Sequence, residues 1–521
     1  MLDAMIGDIL VTCEKLAWLA NSGEQYLVPE FRDVGRMMMM KRVWVEYRPV
    51  GVVGAIVPWN YPCHNLFNPI SAALFSGNSI VIKVSEFAAW SVKYYKRVID
   101  GCLDAVGAPR DLVQFVVGYG PAGRALVTSG VDKLIFVGSP EVGALVAKSA
   151  AENLTPVVLE LGGKDPFVVC DDVDIPSIIQ TVCRGAWQSM GQNCAGPERF
   201  FVYERVYDKF VSEVYNVVSR LKVGSSLGDP SVDCGAICMG PKAVEKFQDL
   251  VDDAVRKGAR IVWGGRVPTD KGGNSLAPGP SSGSFYPPTV LADVPESAII
   301  AQEEIFGPIM CIFKVHGNSD DEAVRMANNC HFALSSCAFS ADAARAKAVA
   351  SRLNAGMSCV NDLEGTTYMN QSLPFGGCKK SGYDRFAGPE GLRGLCNIRS
   401  CCEDRFVLSP SLPPCLPSLS PLTSPPPLSL PLPLFSHSIS FIRNAIPPPM
   451  HYPATGVGAS FAWGLIKLFF STSLAGNAQG VLMLLQNLAP PKAAAANQPP
   501  SEGSGKSGRG SSRSRKVAKS Q

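Results

Sequence analysis

Lys133-Leu134-Ile135-Phe136-Val137-Gly138-Ser139 decides the fold. Its first five residues read as a buried parallel strand, and the small pair Gly138-Ser139 leads from that strand toward a helix. The same unit recurs upstream. Ser79-Ile80-Val81-Ile82-Lys83 and Gln114-Phe115-Val116-Val117 are apolar runs of the same kind, with Asp100 to Val106 and Pro121 to Thr128 as helices between them. Such alternation predicts βαβ units and a doubly wound sheet. Residues 166–390 repeat the style, with strands near Phe200-Phe201-Val202 and Arg260-Ile261-Val262-Trp263. A second α/β domain is therefore expected there.

Away from this core the pattern changes. Residues 1–26 set Met5, Ile9, Leu10, Cys13, Leu16 and Ala17 at helical spacing, which predicts an amphipathic helix. Residues 43–57 read as strands broken at Pro49-Val50-Gly51. Residues 408–440 are almost wholly Leu, Ser and Pro, and proline at that density predicts an unpacked, partly polyproline segment. Pro, Ser, Leu and Phe also have pyrimidine-rich codons, so the run fits a translated intron tract. Residues 459–488 are apolar but interrupted by Lys467, Asn477, Gln479 and Gln486. A membrane-spanning helix, an interfacial helix and a packed terminal segment all stay open for them.

A chain of 521 residues has room for two or three domains. The net charge of +3 provides no basic field for nucleic acid. Residues 501–521 carry six Lys/Arg against one Glu among Gly and Ser, the composition of a disordered basic tail. The 17 cysteines have no framework spacing and the five histidines form no cluster, which argues against a metal site and for a reducing compartment. Asp3, Asp8 and Glu14 near the start exclude a secretory signal. The expected location is cytoplasmic, with endomembrane association as the alternative.

The chemistry centres on Gly191-Gln192-Asn193-Cys194-Ala195-Gly196. A thiol that attacks carbon needs a partner that handles protons or activates water. Glu160, in Leu159-Glu160-Leu161-Gly162-Gly163-Lys164, is that candidate, and Pro58-Trp59-Asn60-Tyr61-Pro62 lies farther upstream. Further motifs are Ile82-Lys83-Val84-Ser85-Glu86, Phe136 to Gly143, Glu303-Glu304-Ile305-Phe306-Gly307-Pro308, and Pro374-Phe375-Gly376-Gly377 followed by Lys380-Ser381-Gly382. In this order the set resembles the aldehyde dehydrogenase superfamily across residues 1–405, and is most similar to its plant family 22 branch.

The resemblance implies an α/β fold: a Rossmann-like cofactor domain (1–160, with bridging strands near 43–57), a catalytic domain (161–375), and a return to the cofactor domain with a bridging strand (376–405). A Pro/Leu/Ser-rich segment (406–450), an apolar segment (451–490) and a disordered tail (491–521) would follow. It implies Cys194 as nucleophile, Glu160 as general base and Asn60 as oxyanion donor. Trp59, Lys83, Glu86, Gly118, Gly123, Gly138, Ser139, Gly162, Glu304 and Phe306 would bind NAD. Within that set, Lys83 and Glu86 would meet the adenosine ribose, with Glu86 repelling a 2′-phosphate. The reaction would oxidise an aldehyde to an acid in a homodimer or homotetramer, and Glu160 favours hydrolysis over acyl transfer to a thiol.

Plainer readings coexist with these. Cys194 could be a buried thiol, Asn60 a turn residue, Glu160 a turn cap, Lys83 a solvated strand end, Ser139 a helix cap and Phe306 core. Leu66, Trp187 and Met190 could line an apolar tunnel or sit in the core. Family members also carry a segment ahead of the point matching Met1. The rival expectation is an inactive, truncated or mis-spliced relative with an interaction or membrane-associated role. A thioester hydrolase using the same Cys194 intermediate is a second rival.

Overall fold

A computed structural model describes residues 2–229, 231–267, 284–363, 368–405, 460, 463–468 and 471–488. The expectations for 406–450 and for the 491–521 tail lie outside the described residues. The chain divides into two units, one of residues 1–32 and 44–401, the other of 33–43 and 402 onward.

The first unit holds two large sheets. One has six strands in the order Gly382–Tyr383, Val157–Glu160, Lys133–Val137, Val52–Val57, Ser79–Val84, Val113–Val117. All neighbours are parallel except the short Gly382–Tyr383, which runs antiparallel at one edge. Parallel strands need cover on both faces, hence their continuous apolar runs. Leu66, Ile70 and Ala73 of the helix His64–Phe75 pack with Val53, Ala55, Ile82 and Ile135. Leu126, Val127, Val146 and Ala150, from Gly120–Val127 and Pro140–Ala151, pack with Ile56, Leu134 and Phe136. This is the doubly wound arrangement.

The second sheet has seven strands in the order Arg260–Trp263, Thr289–Ala292, Ile309–Val315, Pro197–Tyr203, Asp165–Val169, Cys337–Phe339, Cys359–Val360. Only Arg260–Trp263 is antiparallel. Its core is aromatic: Phe167 stacks on Phe339 with ring centroids 4.6 Å apart, and Phe200, Phe201 and Phe313 are sealed beside them. One connection matters for function. The first sheet's strand ends at Glu160 and the second sheet's strand begins at Asp165, so Leu161 to Lys164 join the two.

Three expectations need correction. Val52–Val57 lies inside the six-stranded sheet, because its five buried residues need cover from both sides. Only Lys41–Pro49 joins the separate three-stranded sheet, with Glu30–Arg32 and Cys396–Asp404. That last strand fills only the end of the expected 376–405 segment, since Gly388–Arg393 winds as a helix.

The third correction concerns the first helix. The expected apolar stripe faces outward: Met5 is 60% exposed, and Ile9, Leu10, Cys13 and Leu16 are exposed with it. Gly7, Asp8, Val11, Thr12, Lys15 and Leu19 are buried instead. A polar anchor sets this rotation, because the Asp8 carboxylate accepts from the backbone N–H of Cys63 at 3.2 Å and of His64 at 2.6 Å. Two π-helical stretches, Met5–Leu10 and Leu19–Gly23, also shift the periodicity that the 3.6-residue reading assumed.

In the second unit, Leu474–Leu488 is a helix. Among the described residues no helix is long and apolar enough to cross a membrane.

Candidate active site

Cys194 follows a strained turn. Ser189 (φ 52°), Met190 (φ 60°) and Gly191 (φ 68°) are all left-handed. Glycine is required at 191, where a Cβ would stand 2.1 Å from the Gly307 carbonyl oxygen. The turn is held from the N-terminal segment: Asp3 Oδ2 accepts from Ser189 N at 2.9 Å, and Asp3 Oδ1 pairs with Arg184 at 2.8 Å. Gly163 allows the Glu160 strand to pass close by, since a Cβ there would lie 2.3 Å from the Cys194 carbonyl oxygen.

Asn60 lies beyond the end of Val52–Val57. Its Nδ2 donates to the Gln192 carbonyl at 3.1 Å, and its Oδ1 accepts from Asn65 Nδ2 at 3.1 Å. Cys194, Glu160 and Asn60 therefore line one cavity of about 450 Å³, together with Tyr61, Asn65 and Phe375. Leu66, Trp187 and Met190 are not on its wall; all three are buried core. The tunnel reading for them is thus corrected. The helix Ile175–Trp187 turns Gln180, Thr181 and Arg184 to the cavity and its apolar side, with Trp187, inward.

Burial dominates the electrostatics. Desolvation pushes the Glu160 carboxyl up to about 8, against a smaller lowering influence from the neighbouring Cys194 thiol. Glu160 Oε1 has no hydrogen-bond partner among the described residues. Desolvation, then the negative charges of Glu160 and Glu304, hold the Cys194 thiol well above its ordinary value. The pair therefore rests protonated, and ionising the sulfur requires its proton to leave.

Glu304 Oε1 accepts from Gly163 N at 3.0 Å, and burial followed by the nearby Glu198 pushes its carboxyl up to about 8. A Cβ on Gly162 would meet Glu304 Oε2 at 2.2 Å, so glycine is needed there. Phe306 has φ 56° and meets the Trp59 ring edge-on with centroids 5.8 Å apart. What holds this loop escaped the sequence reading: buried Glu198 accepts from Ile305 N at 2.9 Å and Phe306 N at 2.8 Å. The available signal was a carboxylate inside the buried strand Pro197–Tyr203.

A second cavity, of about 600 Å³, lies along the six-stranded sheet. Lys83 and Gly123 line it with Tyr119, Phe136, Val142 and Leu145. Lys83 is 7% exposed, not solvated, and its Nζ stands 3.4 Å from Glu86 Oε2. Gly118, Gly138, Ser139 and Glu86 are outside the lining of this cavity. Ser139 caps the helix Pro140–Ala151, its Oγ accepting from Val142 N at 3.4 Å.

Fold and site define a class that comparison with known proteins identifies independently. The aldehyde dehydrogenase family profile matches residues 1–401. An aldehyde dehydrogenase-like protein of Schizosaccharomyces pombe is 41% identical over 416 residues, 80% of this chain and 77% of that protein. The succinate-semialdehyde dehydrogenase [NADP(+)] of Mycobacterium avium is 34% identical over 393 residues, covering 74% and 76% of the two chains. A Mycobacterium tuberculosis aldehyde dehydrogenase solved with NAD+ superposes with a TM-score of 0.67 at 29% identity, over 76% of this chain and 78% of that one. The chain belongs to the aldehyde dehydrogenase family. These matches support the family and not the plant family 22 branch in particular.

Proposed function

We propose that this chain oxidises an aldehyde to a carboxylic acid with NAD and water, releasing NADH. The observation that carries the reading is the convergence of Cys194, Glu160 and Asn60 on one cavity.

The residues fit a nicotinamide dinucleotide. The second cavity combines a buried ammonium at a strand end with exposed apolar surface on Tyr119, Val142 and Leu145 that a planar base would cover. Lys83 and Glu86 would hold the adenosine ribose; Trp59, Gly162, Glu304 and Phe306 would hold the nicotinamide end. Gly118, Gly123, Gly138 and Ser139 would let the backbone approach the pyrophosphate. The Glu86 carboxylate beside Lys83 disfavours a 2′-phosphate, which supports NAD over the NADP named for the M. avium relative.

Cys194 gives its proton to water and its sulfur bonds to the aldehyde carbon, the carbonyl electron pair moving onto oxygen. Asn60 Nδ2 and the Cys194 N–H donate to the resulting oxyanion, and loss of one such donor costs roughly 10²–10³ in rate. The bound dinucleotide supplies the hydride acceptor. Glu160 then takes a proton from the water that attacks the Cys194 thioester, and the sulfur leaves as the acid forms. A base near 8 is matched to this work at neutral to mildly alkaline pH.

The test is NADH formation from short and medium aldehydes. Wild type should turn over with NAD, Cys194→Ala should not, and ester cleavage without NAD as the main activity would favour a hydrolase instead.

A further inference from the structure

The Asn60 amide has two orientations of nearly the same shape, related by a half-turn that exchanges Oδ1 and Nδ2. Only one of them presents N–H groups to an oxyanion. The other presents an oxygen, which would repel the negative charge that forms on the substrate. Something must therefore select the orientation.

Two contacts bear on this choice. The Gln192 carbonyl accepts from Nδ2, and Asn65 Nδ2 donates to Oδ1. A flipped Asn60 would set its NH₂ against the Asn65 donor and its oxygen against the Gln192 carbonyl. Each mismatch leaves polar groups unsatisfied in a partly buried site. Gln192 is itself fixed: its Nε2 donates to the Ser189 carbonyl at 2.9 Å, and its Oε1 accepts from Cys238 N at 2.8 Å. The Asn65 backbone is fixed as well. It stands in the first turn of His64–Phe75, whose leading N–H groups are held by the buried Asp8 carboxylate.

We infer that Asn65 is a positioning residue for the oxidation, keyed to the Asn60 oxygen so that the Asn60 N–H groups face the reacting carbonyl. The inference rests on the proposed role of Asn60 as oxyanion donor. The Gln192 contact is a backbone carbonyl that no side-chain substitution removes, so Asn65 is the part of the lock that mutagenesis can reach. Nδ2 keeps one hydrogen on Gln192 and turns the second to the substrate oxygen.

A double-mutant cycle tests it, with kcat and KM measured for a short aldehyde at saturating NAD. Asn65→Asp keeps the side chain's shape and replaces the donor by an acceptor. Asn65→Leu removes the donor without adding charge. Thermal unfolding of each variant confirms that it is folded. Each should lower kcat by about tenfold or more while KM moves less, because the lost contact acts on the transition state. In an Asn60→Ala background neither should lower kcat further. Wild-type kcat in both folded single variants would overturn the inference. So would a full, additive loss in the Asn60→Ala background, which would make Asn65 only a wall of the cavity. An Asn60→Ala enzyme with undiminished kcat would instead remove the oxyanion reading beneath it, and this inference with it.

Discussion

The Lys164 ammonium stands 2.6 Å from Glu198 Oε2, and both side chains are sealed from solvent. The same carboxylate receives the N–H groups of Ile305 and Phe306, so one buried ion pair holds the left-handed Phe306 in place. Removing one member of such a pair leaves an uncompensated charge, which typically costs 3–5 kcal/mol. Glu198→Ala should therefore lower stability by roughly that amount in denaturant titration. Any folded fraction should show a raised KM for NAD, since the Glu304–Phe306 loop loses its acceptor. An unchanged KM for NAD would separate the ion pair from cofactor binding.

The pH dependence follows from Glu160. Its folded value of about 8 means the carboxyl is largely protonated below that pH and free to act as a base above it. The single-turnover rate of thioester hydrolysis should rise through about pH 8 and then level off. Glu160→Gln should abolish the rise. A deacylation rate flat from pH 6 to 9 in the wild type would exclude Glu160 as the base.

Lys15 is a buried amine whose Nζ has no hydrogen-bond partner among the described residues; it sits 4.8 Å from the Trp18 ring centroid. Desolvation lowers it to about 8 from 10.5. Between those values the unfolded chain binds more protons than the folded one, so this group's contribution to stability rises with pH and is lost below about 8. Lys15→Met should raise stability at pH 7 by roughly 1–3 kcal/mol. The advantage should shrink as pH approaches 10. A gap between variant and wild type that stays constant from pH 7 to 10 would show that Lys15 is not the titrating group.

On the proposed reading, cofactor choice turns on Glu86, whose carboxylate lies 3.4 Å from Lys83 Nζ. Glu86→Gln removes the negative charge and keeps the shape. The ratio of kcat/KM for NADP to that for NAD should rise by about tenfold, corresponding to roughly 1.4 kcal/mol. An unchanged ratio would place phosphate discrimination elsewhere.

Much of this architecture was legible in the sequence because parallel strands are long apolar runs. Lys133–Val137 was read with the bounds the structure gives, and so was the short antiparallel Arg260–Trp263, which its β-branched and aromatic residues marked. Cys194, Glu160 and Asn60 were legible from their motifs, and the structure brings them to one cavity. The first helix was visible as a helix, but its buried side was not. Hydrophobic periodicity favoured Met5, Ile9 and Leu16, whereas the long-range contacts of Asp8 with Cys63 and His64 set the rotation. Glu198 and Asn65 were missed for a related reason. Each acts by a hydrogen bond to a segment distant in space or to a neighbouring turn, and no spacing rule announces such a partner. The strand Cys396–Asp404 was poorly legible because most of its residues are exposed, so no alternation marks it.

The central claim is that Cys194 carries the acyl group and Glu160 releases it. Intact-protein mass spectrometry of Glu160→Gln, mixed with a medium-chain aldehyde and NAD, tests this most directly. The account predicts one NADH per chain in a burst, and a mass increase of one acyl group that peptide mapping places on Cys194. A burst with no covalent adduct, or an adduct on another cysteine, would contradict it.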